Sequence, residues 1–244
     1  MKPFLLLGTR DTDAAALGEY TSVLRHTGLD AEDLRHVRVE SAPLPVIHLD
    51  DYSGIIVGGS PFNASDEVKS ELQRRVEDEL NSLLLDVVEA DFPFLGLCYG
   101  VGLVTMALGG VVDNTYSEDV GAVEVRLTDE GRADPVLAGM PDAFYAFTGH
   151  KEACLTLPPG ATLLATGDAA PHQMYRYGAN IYVTQFHPEL DSIDLAKRMR
   201  IYQHEGYFRP EELEDLIEAA HASGVDGRQH EILENFVRAS ARPA

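Results

Sequence analysis

Short apolar runs alternate with longer amphipathic stretches through the first half of the chain. Residues 3–7 (Pro-Phe-Leu-Leu-Leu) stop at Gly8-Thr9, as a strand buried on both faces of a parallel sheet does before a loop. Leu17, Tyr20, Thr21 and Leu24 recur at helical spacing, which predicts a helix with that stripe in the core and Gly28 at its close. Residues 34–39 alternate like a second strand, and Pro43 and Pro45 separate them from a short Val46-Ile47 segment. Residues 52–57 form a third run, ending on Gly58-Gly59. From Ser65, an expected N-cap followed by acidic residues, the chain reads as one helix to Ala90. A fourth apolar run, 92–97, leads into a helix that ends near Leu108.

Beyond that helix the period changes. Short β-like runs at 111–112, 120–127, 143–147, 161–165, 173–177 and 181–185 are separated by Gly, Pro and Asp. Part of this region predicts an antiparallel extension, while 181–185 returns to the main sheet. After Asp191 the chain is polar and helical over 193–204, 211–222 and 228–239. Strand and helix alternating in this way predict an α/β domain with a parallel sheet, where function collects at the carboxyl ends of the strands.

Composition narrows the function classes. The chain has 244 residues, 45% hydrophobic and 24% charged, ordinary values for a water-soluble globular protein. No segment is apolar for long enough to cross a bilayer, and Met1-Lys2 leads straight into a strand, so no signal peptide is expected. Two cysteines make a disulfide framework implausible and suit a reducing cytoplasm. A formal net charge of −21 argues against coating nucleic acid or anionic membrane, since counterion release needs Lys and Arg clusters.

Within this pattern one cysteine stands out. Cys98 sits at the end of an apolar run, between Gly96 and Gly100, with a helix beginning at once. A given cysteine is bracketed this way by chance about once in two hundred. Strand, sharp turn and helix with a thiol at the apex is the mechanics of a nucleophile elbow, and the helix N-terminus would favour thiolate. The alternative is a buried structural cysteine, which is how Cys154, in an apolar run, is read.

A thiolate nucleophile wants a base, and the base an orienting partner. His187-Pro188-Glu189 offers both. Pro188 keeps His187 extended, and in extended chain residues i and i+2 share a face, so Glu189 can hold one ring nitrogen and leave the other for the sulfur. His204, His221 and His230 lie on polar helices without ligand spacing and are read as solvated, with no metal site.

Gly96-Leu97-Cys98-Tyr99-Gly100 followed by Gln185-Phe186-His187-Pro188-Glu189, on an α/β pattern, resembles the class I glutamine amidotransferases, whose triad is Cys, His and Glu. The resemblance covers roughly residues 1–200. It includes Gly58-Gly59-Ser60-Pro61, similar to a family loop contributing to the oxyanion hole, and looks most like stand-alone proteins similar to the amidotransferase half of GMP synthase.

The resemblance implies a flavodoxin-like three-layer sandwich: a mostly parallel central sheet, an antiparallel β extension and C-terminal helices. It implies an amidotransferase domain over 1–205, with 206–244 as a helical appendage of the same domain. Cys98 would attack the glutamine side-chain amide, His187 would protonate departing ammonia and then activate water, and Glu189 would fix the ring. The N–H groups of Gly59 and Tyr99 would hold the oxyanion; Gly58, Gly102, Thr148, Gly149 and His150 would contact substrate. No cofactor is implied.

Two positions depart from the family. Gly102 stands where members commonly carry Gln, and Glu152 where His-x-Asp has its Asp; His150 could equally be a structural histidine. Three functions are therefore carried: a glutaminase-type amidotransferase feeding ammonia to a separate synthetase, a hydrolase of γ-glutamyl peptides or conjugates, and a non-catalytic regulatory module of the same fold. The C-terminal helices could cover the site, form a homodimer, or dock a synthetase.

Overall fold

A computed structural model describes residues 1–243. Its main sheet has nine strands in the order β2-β1-β3-β4-β11-β10-β9-β6-β7, and the first five run parallel. These are β1 (Phe4–Gly8), β2 (Leu34–Arg38), β3 (Gly54–Val57), β4 (Phe94–Leu97) and β11 (Ile181–Thr184). The antiparallel extension expected from the sequence is β6 (Glu118–Leu127), β7 (Ala143–His150), β9 (Thr162–Thr166) and β10 (Met174–Tyr177). β11 returns to the main sheet beside β4, in the register Thr184 to Leu97. A separate antiparallel pair joins β5 (Val111–Asp113) to β8 (Ala153–Thr156).

Period-two alternation divides the core into two layers. Phe4, Leu6, Ile56 and Leu95 face one side of the sheet, against helices α1 (Asp13–Thr27) and α7 (Glu231–Ser240). Leu5, Leu7, Ile55 and Val57 face the other, against α2 (Glu71–Glu89) and α3 (Tyr99–Ala107). Helices α5 (Ser192–Ile201) and α6 (Leu213–His221) pack together over Phe147, and α4 (Asp129–Ala133) is a short turn after β6. The result is the helix–sheet–helix sandwich implied by the resemblance. Among the described residues no helix is long and apolar enough to cross a membrane.

Three local expectations change, and the short Val46-Ile47 segment takes no regular structure. In α1 the fully buried face is Ala15, Ala16, Glu19, Ser22 and Val23, while Leu17 is 64% exposed and Tyr20 and Leu24 are only partly buried. Small residues let this helix approach the sheet closely, and a carboxylate lies on the inner face for a reason given below. Helix α2 starts later than expected: its N-cap is Ser70 rather than Ser65, and the Ser70 hydroxyl accepts the Gln73 N–H at 3.0 Å. The Ser65 N–H is instead held by the side chain of Glu152, just ahead of β8. His230 is not solvated: its ring stacks on His26 with centroids 3.4 Å apart, and its Nδ1 donates to Pro188 O at 2.6 Å.

The last helix belongs to the central core rather than lying outside it. Ile232, Leu233 and Phe236 are fully buried in the same cluster as Phe4, and the Phe236 ring meets Phe4 edge-on at 6.1 Å. Phe236→Ala should therefore cost about 3–5 kcal/mol of folding stability, read as a lower midpoint in urea unfolding; a loss below about 1 kcal/mol would show that α7 is not part of the cooperative core.

Candidate active site

With Asp91, Cys98 is one of two non-glycine residues of the described backbone at positive φ. Its φ of 53° and ψ of −83° fall where L-residues are rare, a conformation costing about 1–3 kcal/mol. It is held from both sides: the Cys98 N–H extends the β4–β11 ladder to Thr184 O at 2.7 Å, and Val101 N–H donates to Cys98 O at 2.9 Å. A Cβ on Gly96 would come within 2.9 Å of the Gly100 Cα, so Gly96 serves the tight strand-to-helix contact, whereas a Cβ on Gly100 would meet open space. Among the described residues no acceptor engages the Tyr99 N–H at the first position of α3. That donor is free at the turn beside the thiol.

β11 carries the histidine to the same sheet end. His187 N–H bonds Phe147 O at 2.8 Å, which seats the ring between β11 and β7. Nδ1 lies 2.8 Å from Glu189 Oε1, the same-face arrangement expected from the spacing. A carboxylate only accepts, so Nδ1 carries the proton and Nε2 keeps its lone pair for the cavity. Arg198 of α5 donates to Glu189 Oε1 from both terminal nitrogens, each at 3.1 Å. Behind it lies Glu19, whose Oε1 accepts the Arg10 Nε–H at 2.9 Å and the Gly59 N–H at 3.1 Å, with Arg198 at 3.9 Å.

These neighbours set the charge states. Burial opposes ionisation of Glu189, but His187 and Arg198 outweigh it and hold this carboxyl well below the usual range. Burial lowers the pKa of His187 against the pull of Glu189, and Arg198 and Arg10 push it the same way. Burial drives the Cys98 thiol up to about 12, with Arg10 opposing. Desolvation of the sulfur thus works against the thiolate that the helix N-terminus is expected to favour, and both shifts favour a neutral thiol and a neutral imidazole.

Cys98, Tyr99 and His187 line one cavity at the carboxyl ends of β4 and β11, together with Gly102, Thr148, Gly149 and His150. Tyr207 and Phe208 line its mouth, and Lys151 ties this segment down by donating to Glu205 O at 2.9 Å. Gly58 and Gly59 do not line it. A Cβ on Gly58 would overlap the Glu19 carboxylate, so this glycine makes room for a buried charge, not for substrate. The Gly59 N–H points at Glu19 and is already used. His150 has no nitrogen to spare: Nε2 faces Glu118 Oε2 at 2.8 Å and Nδ1 donates to Glu152 O at 2.9 Å. Among the described residues no group of three or more His, Cys, Asp or Glu is arranged for a metal ion.

The Gly102 departure has a packing cause. A Cβ there would sit 2.8 Å from Ala64 Cβ and 3.0 Å from Glu152 Oε1. The Glu152 carboxylate fills that space and accepts the N–H groups of Ala64 and Ser65 at 2.6 and 2.7 Å, pinning the loop before α2. Glycine at 102 and glutamate at 152 are one adaptation. Sequence reasoning missed Arg10, Glu19 and Arg198. Glu19 carried a signal, a charge on the helix face defined by Ala15, Ala16 and Val23; Arg10 carried a weaker one, two residues past the end of β1.

An elbow thiol and an oriented histidine thus lie at one sheet end of this α/β topology. The sequence matches the family Glutamine amidotransferase class-I over residues 16–200, and the chain belongs to that family. It is 28% identical over 171 residues to a glutamine-hydrolyzing GMP synthase subunit from Sulfurisphaera tokodaii, covering 68% of this chain and 85% of that one. It is also 28% identical over 173 residues to the glutamine-hydrolyzing GMP synthase of Streptomyces avermitilis, of whose length the match spans 30%. A glutamine amidotransferase structure from Thermotoga maritima superposes with a TM-score of 0.78 over 98% of both chains at 19% identity, a likeness of fold that extends through the C-terminal helices.

With the thiol raised to about 12, alkylation of Cys98 by iodoacetamide should keep accelerating past pH 10, measured by mass spectrometry of the Cys98 peptide. A plateau between about pH 6 and 8 would show a thiolate already formed at rest.

Proposed function

We propose that the protein hydrolyses a γ-carboxamide of the glutamine type through a Cys98 thioester and releases ammonia. The observation carrying this reading is the His187 ring, fixed through Nδ1 by Glu189 and open at Nε2 toward the cavity that Cys98 lines. Family membership supplies the substrate class.

The neutral resting pair defines the order of events. As the Cys98 sulfur bonds the amide carbon, the carbonyl π pair moves onto oxygen and the thiol proton passes to His187 Nε2. Glu189, ionised and doubly held by Arg198, stabilises the imidazolium that forms. Collapse restores the carbonyl and breaks the C–N bond, and the His187 proton leaves with nitrogen as ammonia. Water then gives a proton to His187 Nε2 and its hydroxyl to the thioester carbon; the C–S bond breaks, and the Nε2 proton returns to the sulfur, leaving the thiol and a γ-carboxylic acid. The free Tyr99 N–H at the start of α3 supports its role as an oxyanion donor.

The relatives' names describe GMP synthase proteins that hydrolyse glutamine. On that basis ammonia passes to a synthetase on another polypeptide. One observation favours a second reading, hydrolysis of γ-glutamyl conjugates: where the family commonly places a glutamine side chain, this site places the Glu152 carboxylate beside Gly102.

Ammonia release should be measured over glutamine and a set of γ-glutamyl amides. Release from at least one, abolished by Cys98→Ala, is the expected outcome; no release from any, with or without the added ATP-dependent half of GMP synthase, would sink the reading. Protonated His187 cannot accept the thiol proton, so kcat/KM must fall as pH drops through its pKa, which burial places below the ordinary 6.5. An acid limb centred above pH 7 would contradict that environment. Glu189→Gln should lower kcat by about 10²–10⁴-fold, because the amide neither fixes the Nδ1–H tautomer as firmly nor stabilises imidazolium.

A further inference from the structure

The Gly59 N–H, expected to hold the oxyanion, is committed to a fully buried carboxylate, Glu19, and the same oxygen takes the Nε–H of Arg10. The Arg10 side chain is 6% exposed. Its Nε is satisfied by Glu19, and the Tyr202 hydroxyl, which donates to Asp11 Oδ1 at 3.1 Å, accepts from the guanidinium. A guanidinium carries five donors, and those that Glu19 and Tyr202 leave over have no other hydrogen-bond acceptor among the described residues, so the fork has donors to offer an acceptor that enters the cavity.

The place where that acceptor would arrive is defined. Arg10 lines the cavity that contains Cys98 and His187. A Cβ on Gly59 would overlap Arg10 Nη2, and the His187 Cε1 lies 3.0 Å from the same point. Glycine at 59 therefore admits the guanidinium to the reacting side of the histidine. Glu19 does two things at once with one oxygen: it draws the backbone N–H away from the cavity and holds Arg10 at its edge.

We propose that the Arg10 guanidinium replaces the Gly59 N–H as the second oxyanion donor, acting with the Tyr99 N–H on the tetrahedral intermediate at Cys98. The inference rests on the amide cleavage proposed above. Arg10 exchanges no proton. It accepts no electrons and forms no bond; it donates hydrogen bonds to the oxygen that gains the carbonyl π pair and loses it again when the C–N bond breaks. A fixed cation at that oxygen is an electrostatic stabiliser that backbone alone would not supply.

Arg10→Lys keeps a cation beside Glu19 and removes the terminal fork, and Arg10→Gln keeps a donor to Glu19 without charge. Both should lose about 10²–10³-fold in kcat with little change in KM. Unchanged kcat would overturn the proposal. So would a rise in KM alone, which would make Arg10 a clamp for a substrate carboxylate.

A second measurement does not depend on turnover. Butanal, an aldehyde with no carboxylate, should protect Cys98 of the wild type from iodoacetamide by forming a hemithioacetal whose oxygen occupies the same hole. Arg10→Lys should need at least about tenfold more butanal for equal protection, corresponding to a lost donor. Equal protection in both proteins, or none in the wild type, would overturn the proposal. Absence of ammonia release by the wild type would count against amide cleavage alone, and the butanal comparison would still decide Arg10.

Discussion

A buried run of alternating charges holds this site together: Arg10, Glu19, Arg198, Glu189 and His187, each opposite in sign to its neighbour or bonded to it. The members come from four places in the chain, namely the loop after β1, helix α1, helix α5 and the turn after β11. Ions this deep are tolerated only in pairs, and removing one partner from such a pair costs about 3–5 kcal/mol. The run therefore fixes the relative positions of those four elements. It also bears on the chemistry: Arg198 helps hold Glu189 ionised and, with burial as the larger cause, helps keep His187 neutral.

Close backbone approach is the other side of that constraint. Glu19 can reach the strand ends only because residue 58 has no side chain, and Arg10 reaches the cavity only because residue 59 has none. The same logic operates across the cavity, where Gly102 admits Glu152 and Glu152 fastens the loop ahead of α2. That loop precedes α2, whose N-cap is Ser70. Two carboxylates, Glu19 and Glu152, thus occupy space that the resemblance assigned to the substrate's surroundings.

Much of the architecture was legible in the chain. Unbroken apolar runs ending in glycine mark strands covered on both faces, and each of those at 3–7, 52–57 and 92–97 became a central parallel strand, because no other arrangement buries both faces of such a run. Cys98 between glycines and the i, i+2 spacing of His187 and Glu189 are local geometry, and local geometry survives into the fold. The stripe on α1 misled because helical periodicity finds a face by its apolar residues, and the buried face of this helix is made of alanines and a glutamate.

Sequence by itself determined the central strands, the elbow and the His–Glu pair, since each depends on residues within a few positions of one another. Tertiary structure alone decided the surroundings of the sulfur, the partner of the Gly59 N–H and the packing at Gly102. Those depend on desolvation and on side chains arriving from 40 residues away for Glu19 and Gly59, and 88 for Glu152 and Ala64. Spacing along a chain carries no information about which distant carboxylate will reach a backbone N–H first; packing of the helices on the sheet settles it.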